Sequence, residues 1–411
     1  MGNANSLFYS EPLHLVRGED VWLYDAEGKK YLDVYNNVAH VGHSNPYVVE
    51  AITKQAKNLN TNTRYLHENI VDLAEKITKL MPGELSVCYF VCSGSEANDL
   101  ALQIARASTR KQGCLVSENA YHGNTTAVFQ MSPEDCAAET RQEWVQALPN
   151  PKKYQQTDQV EVSYIKDLSF AMDNLDDIGV GTAAVIFDSI FSSDGIFLPP
   201  LGYLKTIFGA VRASGGLAIA DEVQSGLGRT GSYMWCFSHD GVIPDIVTLG
   251  KPMGNGYPIA AVVTTDEIAQ VYNKEYGYFN TFGGNPVACA AGLAVLEVIK
   301  KDQLMKHAKS TGLYFYHELK KLAEKNELIS DVRGSGLFLG VELIDPIEKK
   351  PATKITTEAV DLLSKNGVLV GKTGPDSNVI KIRPPMTFKE QHADRVVECL
   401  DEVLTPLSWM A

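Results

Sequence analysis

The chain has 411 residues, of which 45% are apolar and 21% charged, with a formal net charge of −13. That length exceeds what one core ordinarily serves, so two lobes are expected. The acidic balance argues against a phosphate-backbone partner, and no apolar run is long enough to span a bilayer, so neither nucleic acid nor membrane is an expected partner.

In chain order, residues 14 to 34 alternate apolar and polar positions, with turn signals at Arg17-Gly18 and Glu27-Gly28. They predict short antiparallel strands. From Pro46 to Leu80 the apolar spacing is helical, with a break near Asn58 to Arg64. Val87 to Val91 reads as a buried strand that enters Cys92-Ser93-Gly94-Ser95-Glu96-Ala97-Asn98 and then a helix through Arg106. Val185 to Phe187, Leu217 to Ala220 and Ile246 to Leu249 repeat the pattern, each apolar run ending in polar or glycine residues, with helical segments such as Tyr203 to Ala213 between them. This alternation predicts an α/β fold with a mostly parallel sheet and helices on both faces. Ligands of such sheets bind beyond the carboxyl ends of the strands, where the conspicuous polar motifs fall. Helices are expected from Asn285-Pro286 to about Lys300 and over Leu304 to Lys325, and strands over Val332 to Leu343 and Val368 to Ile382. The expected division is an N-terminal arm with strands joining the smaller lobe (1–45), a large domain (46–310) and a small C-terminal domain (311–411).

Seven scattered cysteines, with Cys88 and Cys92 the nearest pair, match no zinc pattern and no disulfide framework. No metal is expected, and a reducing cytoplasm suits the count. The N-terminus lacks a basic segment followed by an apolar one, so no signal peptide is expected.

An aspartate at a strand tip, such as Asp221 in Ala220-Asp221-Glu222-Val223-Gln224, is more often a helix cap than a catalyst. A lone lysine is most often a surface group. Lys251, however, sits in Gly250-Lys251-Pro252-Met253-Gly254 directly after a buried strand, a poor place for a surface lysine and a good one for a tethered one. Pyridoxal 5′-phosphate (PLP) needs an amine for its aldehyde, a carboxylate for its pyridine nitrogen, and helix-start amides with hydroxyls for its phosphate. Lys251, Asp221 and Gly94-Ser95 supply these in order, and Tyr121-His122-Gly123 adds an aromatic face for the ring.

On Ser93–Asn98, Tyr121–Gly123, Asp221–Gly231, Pro244–Pro258 and Phe279–Pro286, the chain resembles the class III aminotransferases, PLP enzymes of fold type I, from about Leu15 to Pro406. That fold implies a large domain with a mostly parallel seven-stranded sheet and a smaller α+β domain. The resemblance implies that Lys251 holds PLP as a Schiff base and that Asp221 pairs with the ring nitrogen. It also implies that Val223 packs on the ring, Gln224 bonds its phenolic oxygen, Gly94 and Ser95 bind the phosphate, and Tyr121 stacks with His122 beside it. Thr281 would reach the phosphate of a neighbouring subunit, which implies a homodimer with shared sites.

Two departures bear on the reaction. Where many amino-acid transaminases carry an arginine for the α-carboxylate, this chain has Lys381, a point charge without the fork geometry. Arg383 would share its face on a regular strand. Ser193 stands where many relatives carry a glutamate that offsets that arginine. Tyr35 to His43, Asn60 to His67, Gly250-Lys251-Pro252 and Gly374-Pro375 resemble the ethanolamine-phosphate and phosphohydroxylysine phospho-lyases and the hydroxy-aminoethylphosphonate lyases. This branch implies a lyase that expels phosphate or hydroxide and ammonia from a small phosphoryl-bearing primary amine. The alternative is transfer of the amine to a 2-keto acid such as pyruvate or glyoxylate. Arg64, Tyr9, Asn37 and Lys381 are the candidates for the substrate's anionic group. Against them stand a helix-end salt bridge for Arg64, core packing for Tyr9 and a simple turn for Asn36-Asn37.

Overall fold

A computed structural model describes residues 7–156 and 160–408. The first six residues of the expected N-terminal arm lie outside them. One sheet has seven strands, in the order Leu85–Val91, Ala260–Thr265, Ile246–Leu249, Leu217–Asp221, Thr182–Asp188, Gly113–Ser117 and Val145–Leu148. Only Ala260–Thr265 runs against its neighbours. The other ladders are parallel. Alternate residues serve opposite faces: Val185 and Phe187 join one core cluster, Ala184 and Ile186 another. Because both faces are covered, Ile246–Leu249 and Gly113–Ser117 are buried at every position, Thr248 and Ser117 included. Each large side chain so buried contributes roughly 1.5–3 kcal/mol. The parallel strands end on one edge, where Asp188 and Asp221 are cross-strand partners.

The helices fall where the apolar spacing puts them: Pro46–Asn58, Glu68–Leu80, Gly94–Thr109, Tyr203–Ala213, Pro286–Lys301 and Leu304–Ala323. Gly94–Thr109 packs on Ala260–Thr265 and Ile246–Leu249.

Leu15–Glu19, Trp22–Asp25 and Lys30–Asp33 form an antiparallel run, and Val368–Leu369 adds in parallel to Lys30–Asp33. The first turn is not at Arg17-Gly18, which lies inside a strand. Instead Glu19 pairs with Trp22, and Asp20 takes the left-handed φ of 53° that a two-residue hairpin loop requires. Gly18 serves close approach, since a Cβ there would sit 2.9 Å from that of His43. The segment expected as one strand over Val332 to Leu343 is a hairpin, Ile329–Ser335 and Phe338–Leu343, reversed at Gly336 with φ 57°. Val368 to Ile382 likewise splits. Val368–Leu369 goes to the N-terminal sheet, whereas Gly371–Thr373 and Val379–Ile382 complete a four-stranded sheet with the hairpin.

Candidate active site

Strand Ile246–Leu249 delivers Gly250 and then Lys251, which opens a tight turn closed by Pro252 and Gly254. Lys251 faces a cavity of about 170 Å³ whose wall includes Gly94, Ser95, Tyr121, His122, Asp221, Val223 and Gln224. All eight residues expected to hold PLP within one chain therefore meet in one place. Gly123 and Asp188 complete the wall. Dense surroundings push the Lys251 amine down to about 8, and the Arg383 guanidinium pushes it the same way.

Asp221 is held on both oxygens. Its Oδ2 accepts from Asn98 Nδ2 at 2.8 Å and pairs with His122 Nδ1 at 2.7 Å, while Oδ1 accepts from the Val223 amide at 3.0 Å. Asn98 also donates to the His122 carbonyl at 2.7 Å, so helix, loop and strand are locked together. The His122 Nε2 is buried without a hydrogen-bond partner among the described residues. Glu222 turns the other way. Its carboxylate accepts from the Cys236 and Phe237 amides at 2.8 and 2.9 Å and from Ser189 Oγ at 2.7 Å, yet burial raises it to about 7.

Helix Gly94–Thr109 starts at the cavity because Ser93 caps it, accepting from the Glu96 amide at 3.2 Å. Glu96 reaches back to the Cys92 amide at 3.0 Å. Ser95 Oγ is shared with Asn124, whose amide donates to it at 3.2 Å. Gly94 must lack a Cβ, which would lie 2.7 Å from Val223 Cγ1.

Lys381 and Arg383 lie two apart on strand Val379–Ile382 and its end, and both are buried. Their cationic groups stand 5.8 and 5.6 Å from the Phe338 ring centroid. Arg383 donates to Gln224 Oε1 and to the Tyr35 carbonyl. Neither cation has an ion pair among the described residues. Burial, with Arg383 beside it, pushes the Lys381 amine down to about 7.

Lys381 and the remaining expected residues are not at the cavity wall, which Arg383 meets through Gln224. Asn37 is buried behind it, its Nδ2 3.5 Å from the Gln224 carbonyl. Tyr9 donates its hydroxyl to the Val370 carbonyl at 3.0 Å. Thr281 is exposed, in a loop tied to the helix start by Asn280 Nδ2 donating to Glu96 Oε2 at 3.1 Å. Arg64 is exposed with its guanidinium 4.3 Å from the centroid of Phe279, in that same loop. It makes no ion pair among the described residues. Asn98, Asp188 and Glu222 were not foreseen. For Asn98 the available signal was its place three residues after Ser95, on one helical face.

This donor set fits PLP: a buried amine of lowered pKa, a fixed carboxylate, a capped helix start and an aromatic wall around one cavity. A family profile described as aminotransferase class-III matches residues 8–404. The chain belongs to the class III aminotransferases. Like the rest of this family it is a PLP-dependent enzyme of the α/β, fold type I architecture. It is 44% identical over 424 residues to an alanine–glyoxylate aminotransferase 2-like protein of Drosophila melanogaster, covering 98% of this chain and 86% of that one. It is 39% identical over 427 residues to an ethanolamine-phosphate phospho-lyase homolog of Caenorhabditis elegans, covering 98% and 91%. A solved phospholyase from Arthrobacter in complex with phosphoethanolamine superposes with a TM-score of 0.95 at 42% identity, covering 98% of this chain and 97% of that one. Class III relatives thus carry both lyase and aminotransferase names, and a relative from Arabidopsis thaliana is named mitochondrial. Among the described residues no helix is long and apolar enough to cross a membrane.

Proposed function

We propose that this enzyme is a lyase that releases ammonia and phosphate from a small primary amine bearing a phosphoryl group, such as phosphoethanolamine. With one water consumed, phosphoethanolamine gives acetaldehyde, ammonia and inorganic phosphate. The observation that carries this reading is the pair Lys381 and Arg383, two buried cations without an acidic ion-pair partner among the described residues, with Arg383 bonded to Gln224 of the cavity wall. A phosphoryl dianion matches two adjacent cations, and it relieves the cost of burying them unpaired. The phosphoethanolamine-bound Arthrobacter phospholyase, at 42% identity over nearly the whole chain, supports the same substrate class.

When bound, PLP supplies the electron sink for charge at the carbon next to nitrogen. Lys251, with its amine lowered to about 8, would hold PLP and then take a proton at Nζ near neutral pH. Asp221, fixed by Asn98, His122 and the Val223 amide, would keep a negative charge opposite the pyridine nitrogen. Gly94 and Ser95 would bind the cofactor phosphate at the helix start, with Tyr121 and Val223 against the ring. Gln224, its carbonyl oxygen taken by Arg383, keeps its amide NH2 to donate to the ring oxygen. Lys381 and Arg383 would orient the substrate and neutralise charge on the phosphoryl group as it leaves.

Arg64 and Thr281 fit a site completed by a second subunit, since Thr281 lies in, and Arg64 packs on, the exposed loop that Asn280 anchors to the helix start. Leu66, Tyr65 and Phe282, exposed by 97%, 66% and 69%, form an apolar margin suited to burial in a homodimer. On this reading the chain divides into an arm (1–45), a large domain (46–310) and a small domain (311–411).

The second reading is transamination, favoured by Arg383, whose guanidinium could clamp a carboxylate. Holoenzyme incubated with phosphoethanolamine and no keto acid should release ammonia and inorganic phosphate in equal amounts. Amine transfer that requires pyruvate or glyoxylate, with no phosphate released, refutes the lyase reading.

A further inference from the structure

A cleft of about 550 Å³ opens between the C-terminal ends of helices Glu68–Leu80 and Pro286–Lys301 and the start of Leu304–Ala323. It shares no wall residue with the cavity of about 170 Å³ around Lys251. Its floor is apolar, made by Leu80, Met234, Leu296, Ile299 and Met305. Two thioethers give that floor an adaptable shape. The volume lies within the range of sites that enclose small ligands.

The mouth has the opposite character. Lys76, Lys79, Lys300 and Lys306 surround it, with Glu297 the acidic residue among them, on a chain whose net charge is −13. Lys79 is neutralised by Glu75 at 2.8 Å. Lys76, Lys300 and Lys306 form no ion pair among the described residues. Lys79 and Lys300 have a plain structural use, since each lies in the last turn of its helix, where a cation meets the negative end of the dipole. That use fails for Lys306. It lies in the first turn of Leu304–Ala323, a helix with no acidic residue in that turn and no side-chain cap. A cation there faces the positive helix end, an unfavourable placement that an anion seated between them relieves.

We propose that this cleft binds a single-chain amphiphile with an anionic head, a medium-chain fatty carboxylate, with the head among Lys76, Lys300 and Lys306 and the chain along the apolar floor. Apolar area and positive charge thus meet at one site, as the two parts of such a molecule require. Each further methylene buried should tighten binding roughly fourfold.

Trp235 offers the readout. It is buried, follows Met234 in the chain, and its indole donates to the carbonyl of Leu80 at 2.8 Å, so occupation of the floor should alter its emission. Holoenzyme would be titrated with octanoate and decanoate below their micellar concentrations. The expected result is saturable binding, roughly tenfold or more tighter for decanoate. The double variant Lys300→Glu/Lys306→Glu should weaken decanoate binding at least tenfold while retaining cofactor absorbance. If that variant fails to fold, Lys306→Ala alone should still weaken binding measurably. Equal affinity for decylammonium, or unchanged affinity in the charge variants, overturns the proposal. So does a lower molecular mass of the charge variants in solution, which would make the cleft an interface with a second copy. None of these outcomes depends on whether the enzyme is a lyase or a transaminase.

Discussion

Glu222→Ala removes the acceptor of two backbone amides, those of Cys236 and Phe237, in a place where Glu222 is 1% exposed. Each buried donor left unmade costs about 1–3 kcal/mol, so the loss should be about 4 kcal/mol. Glu222→Gln is more informative, because it keeps one oxygen and cannot ionise. In the native enzyme burial raises the carboxyl to about 7 from an ordinary 4.5. Between those values the folded protein holds a proton that the unfolded chain has released. The stabilisation is therefore full below pH 4.5 and is lost as pH rises through 7. The difference corresponds to about 3 kcal/mol across the window. Glu222→Gln should thus be clearly less stable than wild type at pH 5, with the gap narrowing by up to about 3 kcal/mol at pH 8. Asp194, also raised to about 7 by burial, is present in both proteins and cancels in the difference. The assay is urea unfolding of holoenzyme at both pH values. A wild-type midpoint for Glu222→Ala, or a gap to Glu222→Gln that does not change with pH, refutes the reasoning.

Lys381→Met should raise the Michaelis constant for phosphoethanolamine roughly ten- to a hundredfold, as expected for loss of one charge-assisted contact, with cofactor absorbance retained. An unchanged Michaelis constant would remove Lys381 from the substrate site. In cofactor-free protein, Lys251 should release its proton near pH 8, while the unfolded chain keeps it to about 10.5. Stability should therefore rise across that interval, and Lys251→Met should lack the rise when both are followed by denaturant titration. Thr281→Ala should lose PLP more readily on dilution, measured by absorbance and light scattering; a fully active monomer contradicts this. Arg64→Ala should raise the Michaelis constant for phosphoethanolamine, whereas a lower melting temperature with unaltered kinetics would assign Arg64 to packing on Phe279.

The centre of the site was legible because its residues sit at the tips of buried strands. Leu217–Asp221 and Ile246–Leu249 are apolar but for Thr248 until the polar tip arrives, so Asp221 and Lys251 stand out as interruptions. What supports them was not legible. Asn98 and Asp221 are 123 positions apart, and Arg383 and Gln224 are 159 apart. Such contacts leave no periodic trace. The partners of the residues at the edge of the site were hidden for the same reason. Tyr9 has its hydroxyl on the Val370 carbonyl, 361 positions away, so its local sequence is silent about its partner. Gly18 shows the opposite limit: a glycine that reads as a turn serves contact with His43 instead.

The pairing of strand Lys30–Asp33 with Val368–Leu369 bears on synthesis of the chain. Lys29 donates to the carbonyl of Lys365, 336 positions on. At the usual 5–20 residues per second, the N-terminal strands wait on the order of 15–70 s for the partner that completes their sheet. During that interval the edge of Lys30–Asp33, whose last three residues are buried in the finished enzyme, is open to any other strand. The large sheet has every strand by Thr265 and can form first. The step that joins the chain's two ends therefore closes after the large sheet, and it is long exposed to error in a crowded polysome.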